Sequence, residues 1–269
     1  MPTPKKGLVT LTMPRSGSTW LSSLTNATNQ MGLADEWLDF KYLTRPFGPR
    51  GRPPLYARTL RSGSTENGHF AVKLFPRHLL QVMDGYQMDF IRKCCREHEV
   101  KIILLTRKDR VAQAISLVRA MQTGKWKSSR TAQSSRFQQR PRYNFGAVSQ
   151  AAFHIGRGYD FWRSYLALGD MPYEEFNYES LIDDTVPYFN AVNRHFGLAL
   201  PAPPKSDLVV QRDHITDEWR SRFLEDVKTF GIPASTFSPK QPAKTPLNAL
   251  RLLLGRPVKI DRFGYNAFA

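Results

Sequence analysis

The pentapeptide RSGST occurs twice, as MPRSGSTWL at 13–21 and as LRSGSTENG at 60–68. Glycine among hydroxyl side chains, behind an arginine, is the composition of a loop that wraps an anion. Gly17 lets the backbone approach closely, Ser18 and Thr19 donate hydroxyls, and Arg15 supplies charge. The flanks separate the two copies. The first follows the apolar run GLVTLTM and leads into Trp20, Leu21 and Leu24, which share one helical face, so its amides open a helix N-terminus at the end of a strand. The second has no comparable strand before it and runs into ENGH, where Glu66 opposes an anion; it reads as an inert loop leading into the strand at Phe70. Neither copy is a nucleotide-kinase loop, because the chain contains no G-K-[ST] triplet: Gly124-Lys125 is followed by Trp126. An arginine-led cradle without lysine suits a phosphosulfate, whose terminal group carries less charge than a phosphate and can be transferred without a metal.

Other residues could act beside such a cradle. Lys73 stands inside FAVKLF, where a charge is costly unless it reaches an anion at the strand's end or snorkels to water. Arg107 closes the apolar run KIILLT; a surface salt bridge to Asp109 is its alternative role. The acidic pair Asp35–Glu36 before Trp37 could do no more than start a helix. Of the six histidines, His69 and His78 flank the Lys73 strand, but none stands at metal-ligand spacing from another, and no metal is expected.

The elements that must position these groups can be read from periodicity. Gly7–Met13, Phe70–Phe75, Lys101–Thr106 and the weaker Glu175–Tyr178 read as buried parallel strands. Val111, Ala114, Ile115, Val118 and Met121 fall on one helical face. Strand followed by helix, repeated, predicts an α/β fold with helices on both faces of a parallel sheet. Residues 44–54 (TRPFGPRGRPP) break the pattern, as does 119–142, where Arg119, Lys125, Lys127, Arg130, Arg136, Arg140 and Arg142 occur without one acidic residue; both are expected to be loops or mobile edges. From Leu200 on, proline-rich connectors surround one expected helix near Thr216–Phe230.

Composition bounds the function. At 269 residues and 41% hydrophobic, the chain can bury a large core and is not disordered. Its formal charge of +16 attracts polyanions, which leaves nucleic acid, acidic membrane surfaces and phosphorylated small molecules open. The two cysteines, Cys94 and Cys95, are adjacent and poorly placed for a disulfide with each other, as in a reducing compartment. The N-terminus fails as a signal peptide and no run is long enough to span a bilayer, so a cytoplasmic protein is expected.

Three segments carry a family resemblance: PRSGSTWL at 14–21, LLTRKDRVAQAISLVRAMQTGKW at 104–126 and FNYESLIDD at 176–184. Together they resemble the sulfotransferases that use 3′-phosphoadenosine 5′-phosphosulfate (PAPS), in particular the bacterial carbohydrate subgroup of the trehalose sulfotransferase type. The resemblance implies a three-layer, P-loop-like fold in a single domain over 1–269, with a basic variable loop at about 119–150 and a loosely matched tail from about 200. It assigns Arg15, Ser16, Gly17, Ser18, Thr19 and Trp20 to the 5′-phosphosulfate and Arg107 and Ser116 to the 3′-phosphate. It makes Glu36, in GLADEW, the general base, with Asp35 the neighbour most easily confused with it. Lys73 would then donate to the sulfuryl group in transit. The acceptor would be a hydroxyl of a small-molecule carbohydrate or a glycolipid, in a pocket built by the loops at 38–60 and 125–160, with Trp37 or Tyr42 available to stack on a sugar. No specific nucleic acid is implied, while peripheral membrane contact and a homodimer stay open. Two rivals stand beside this reading: a basic nucleic-acid-binding module in which 119–142 tracks phosphates, and a metal-dependent nucleotide kinase, disfavoured by the missing lysine motif.

Overall fold

Alternate residues of four short strands point to opposite sides of one sheet, and each side is closed by its own set of helices. The computed structural model describes residues 4–39, 54–126, 140–201 and 214–232. The strands are β1 (Lys6–Thr12), β2 (His69–Leu74), β3 (Glu99–Thr106) and β4 (Glu174–Asn177). They pair in parallel in the order β2-β1-β3-β4. Each lies within two residues of the run expected from sequence, because a continuous apolar stretch is what a strand covered on both faces requires.

On one face Val9, Leu11, Phe70, Val72, Leu74, Ile102 and Leu104 join a core with helices α2 (Leu55–Gly63), α3 (Pro76–Tyr86), α4 (Phe90–Glu97), α5 (Arg110–Thr123), α6 (Phe145–Leu168) and α9 (His214–Phe230). On the other, Leu8, Ala71, Ile103 and Leu105 pack with α1 (Ser18–Ala27), α7 (Tyr178–Asp183) and α8 (Val186–Phe196). The result is the three-layer, P-loop-like α/β arrangement. Since β1 lies between β2 and β3, the chain leaves β1 towards one edge and later returns on the other side. That reversal opens a crevice beyond the C-terminal ends of β1 and β3, where ligands of such sheets sit.

Three local readings change. The second RSGST is not a loop throughout: Arg61, Ser62 and Gly63 end α2, and only Ser64, which bridges to Phe70, and Thr65 lead into β2. The basic stretch is helical to Thr123, and α6 begins at Phe145 inside the span expected to be loop; residues 127–139 lie outside the described residues. Met121, on the expected apolar stripe, is exposed, whereas Val118 and Ala120 beside it are buried. The 24-residue α6 is legible afterwards in Val148, Ala151, Ile155, Tyr159, Trp162 and Leu166, all buried at helical spacing. Tyr42 and the arginines at 45, 50, 52, 130 and 136 fall outside the described residues.

Candidate functional site

The first RSGST turns from β1 into α1 through two left-handed residues, Arg15 (φ 64°) and Gly17 (φ 85°). At Gly17 a Cβ would lie 2.1 Å from the Tyr178 ring, so both the backbone conformation and the close packing demand glycine there. Tyr178 also meets Trp20 edge-on at 6.0 Å. Ser16 is wholly buried, its Oγ 2.6 Å from Thr12 Oγ1. Because Thr12 donates to the Leu105 carbonyl, Ser16 is the donor of that pair, and what it can offer a ligand is its backbone amide. Beneath the loop Trp162 Nε1 donates to the Thr12 carbonyl at 3.0 Å and Gln113 Nε2 to that of Pro14 at 2.9 Å. The loop is therefore held from below, with its amides and the α1 N-terminus left facing the crevice.

Arg107, at the end of β3, and Ser116, two turns into α5, both reach this loop. Arg107 Nη1 donates to the Arg15 carbonyl at 3.1 Å, and Arg15 Nε donates to Ser116 Oγ at 2.9 Å. The alternative pairing of Arg107 with Asp109 is not formed: Asp109 caps α5 through the Ala112 amide and pairs with Arg220. Arg107 instead faces Glu179, 3.7 Å from its Nε, and lies over the Tyr178 ring at 5.2 Å. Glu179 is fixed by the amides of Lys108 and Asp109 at 2.9 and 3.1 Å. Burial, then the like charges of Arg107 and Arg119, hold the Arg15 guanidinium below its ordinary pKa. Three cations drawn together against their own repulsion form a place where an anion is stabilised. Arg107 Nε, buried and without a hydrogen-bond partner, fits the same chemistry.

At the end of β2 the Lys73 side chain is 3% exposed, and its Nζ lies 3.1 Å from Glu36 Oε1, whose side chain is 19% exposed. It does not snorkel to water. Lys73 Nζ also lies 3.5 Å from Thr19 Oγ1, which joins this pair to the loop. The Lys73 amide donates to the Asp35 carbonyl and so lays Asp35–Glu36 alongside β2, while Asp35 Oδ1 accepts the Glu36 amide at 2.8 Å. Of the two neighbouring acids, it is thus Glu36 that meets the lysine.

Beside it, Asp39 accepts from Arg77 at 3.1 Å and stands 3.6 Å from His78 Nε2. Glu36, Asp39 and His78 bring one ligand atom each within 4.8 Å of one another, a juxtaposition hidden in sequence because the fold makes it. Lys73 and Arg77 already balance both carboxylates. Burial lowers the His78 pKa. Its Nδ1 accepts the Phe75 amide, and its Nε2 lies 3.4 Å from Arg77 Nε and 3.6 Å from Asp39.

Side-chain contacts bring together Arg15, Arg107 and Ser116 at one end and Thr19, Lys73 and Glu36 at the other, beyond β1, β2 and β3; Ser16, Gly17 and Ser18 lie in the loop between them, with the Ser16 hydroxyl turned inward onto Thr12 and Trp20 packed on Tyr178. Tyr178, Glu179, Gln113 and Trp162 were not singled out from sequence, although Tyr178 and Glu179 lie in FNYESLIDD. The second RSGST points elsewhere: Ser64 Oγ donates to the Leu60 carbonyl and Thr65 Oγ1 to Asn67 Oδ1. Among the described residues no helix is long and apolar enough to cross a membrane. No curated protein matches the chain. Residues 7–226 match the family model described as Stf0 sulphotransferase.

Proposed function

The chain belongs to the Stf0 sulphotransferase family, and from that premise we propose that it moves a sulfuryl group from PAPS to a hydroxyl of a carbohydrate or glycolipid. The observation that carries this reading is the Lys73–Glu36 pair at 3.1 Å, joined through Thr19 to a loop that is linked in turn to Arg107 and Ser116. A base and a cation thus stand at one end of an anion cradle and a cluster of arginines at the other.

The bound donor would supply an activated sulfuryl group on a phosphate leaving group. Arg107, with Arg15 and Ser116, would hold the 3′-phosphate; the loop amides, Ser18 and Thr19 would hold the 5′ end. Glu36 Oε1 would accept the acceptor hydroxyl's proton as that oxygen bonds to sulfur. Lys73 Nζ would donate to the oxygens around sulfur and the departing phosphate, where charge shifts during transfer. Tyr178, packed on Gly17 and under Arg107, would keep the two ends in register. The test is a donor-dependent mass gain on candidate sugars and glycolipids, with Glu36→Gln as the control that should bind donor and not transfer.

A further inference from the structure

Away from the crevice, a cavity of about 840 Å³ opens between the last turn of α5, residues 140–143 and α9. Its walls are fixed. Gln122 exchanges two hydrogen bonds with the Arg142 backbone, at 2.9 and 2.8 Å, and the Tyr143 hydroxyl donates to Asp226 at 2.6 Å. Trp219, 3% exposed, meets Tyr143 edge-on at 5.7 Å and forms the floor. Three guanidinium groups line this space, those of Arg140, Arg142 and Arg222, the last lying 4.5 Å over the Tyr143 ring. Among the described residues none of the three forms an ion pair, whereas Arg220 on the same helix pairs with Asp109. Glu218 is the one carboxylate among the described lining residues, so cations outnumber it.

A guanidinium presents a planar fork of donors suited to phosphate or sulfate oxygens, and several around one space select a ligand with more than one such group. The volume is that of a pocket for a small organic molecule rather than a single ion. Gln122 lies six residues beyond Ser116 on α5, roughly 9 Å along the helix, and no residue of the loop at 13–19 lines this space; Arg119, between them on α5, is engaged by Thr216 Oγ1 at 2.6 Å. We propose that the cavity is a second anion site, distinct from the donor cradle, for a small molecule of about disaccharide size carrying two or more sulfate or phosphate esters. The assignment does not depend on the transferase reading.

The test is calorimetric titration of the full chain, with and without excess adenosine 3′,5′-bisphosphate, the ligand proposed for the donor cradle. The probes are a disulfated disaccharide, inositol trisphosphate and unsubstituted maltose. One equivalent of a charged probe should bind and maltose should not; which charged probe binds tells sulfate from phosphate esters. The double variant Arg142→Gln, Arg222→Gln should weaken binding at least tenfold, roughly the worth of one lost charge-assisted contact, with an unchanged melting temperature. The proposal is overturned if neither charged probe binds, if maltose binds as well, if the bisphosphate competes, or if the double variant binds like the parent. A single-stranded oligonucleotide that binds tighter than either probe would overturn it too, making this face a nucleic-acid surface.

Discussion

Lys73 and Glu36 form a close pair in unequal surroundings: the lysine side chain has almost no contact with water and the glutamate has some. Removing one partner of a buried pair strands the other. Glu36→Gln should therefore cost about 3 kcal/mol in urea unfolding, whereas Lys73→Met, which leaves a carboxylate able to reach solvent, should cost about 1 kcal/mol or less. If Glu36 is the base, Glu36→Gln should also lower transfer by roughly 10²–10⁴ with donor affinity kept, while Asp35→Asn, whose carboxylate holds an amide, should cost far less. Equal rates for Glu36→Gln and the parent would move the base elsewhere. Arg107→Ala should weaken binding of adenosine 3′,5′-bisphosphate and leave a donor lacking the 3′-phosphate nearly unaffected; a uniform loss would mean a general electrostatic or folding role. Arg107 was readable as a strand-end cation, but its partner was not. Asp109 is two residues away in sequence yet turned into the helix cap, and Glu179 arrives from the first turn of α7, far along the chain.

At the scale of elements, two identical words fold differently because of what precedes them. The first is pinned between a buried strand and a helix; the second ends a helix and spends its hydroxyls on Leu60 and Asn67. Ser18→Ala with Thr19→Ala should weaken donor binding by about 1–3 kcal/mol. Ser64→Ala with Thr65→Ala should leave donor binding untouched and lower stability by about 1 kcal/mol. Calorimetry and urea unfolding on both pairs distinguish these outcomes, and equal donor effects would contradict the assignment. The four strands were legible because burial on both faces writes a continuous apolar run. The start of α6 was not, because Phe145–Ala152 adjoins a basic stretch that reads as loop; there Asn144 caps the helix by accepting the Ala147 amide, and Val148 and Ala151 enter the core.

For the whole molecule, one buried and two half-buried histidines weaken the fold in acid. Burial lowers the pKa of His78 and of His195, and burial with Arg157 and Arg77 nearby lowers that of His154 to about 4. Above about pH 6.5 these rings are neutral folded or unfolded. Below it the unfolded chain takes up protons that the folded chain resists, so stability is lost as pH falls below 6.5, and for His154 the loss continues towards pH 4 at up to about 1.4 kcal/mol per pH unit. The urea midpoint should drop across that window and His154→Gln should flatten part of the fall; an unchanged slope would remove His154 from the account. Net charge was legible as a demand for anionic partners, but where the cations converge was not, since Arg15, Arg107 and Arg119 meet only through the sheet's reversal at β1. That convergence is the central claim, and donor-product binding tests it most directly. Thermal unfolding with adenosine 3′,5′-bisphosphate at about a hundred times its dissociation constant, in EDTA, should show a melting temperature raised by roughly 5–10 °C. ATP with magnesium stabilising the chain while the bisphosphate leaves it unchanged would contradict the account.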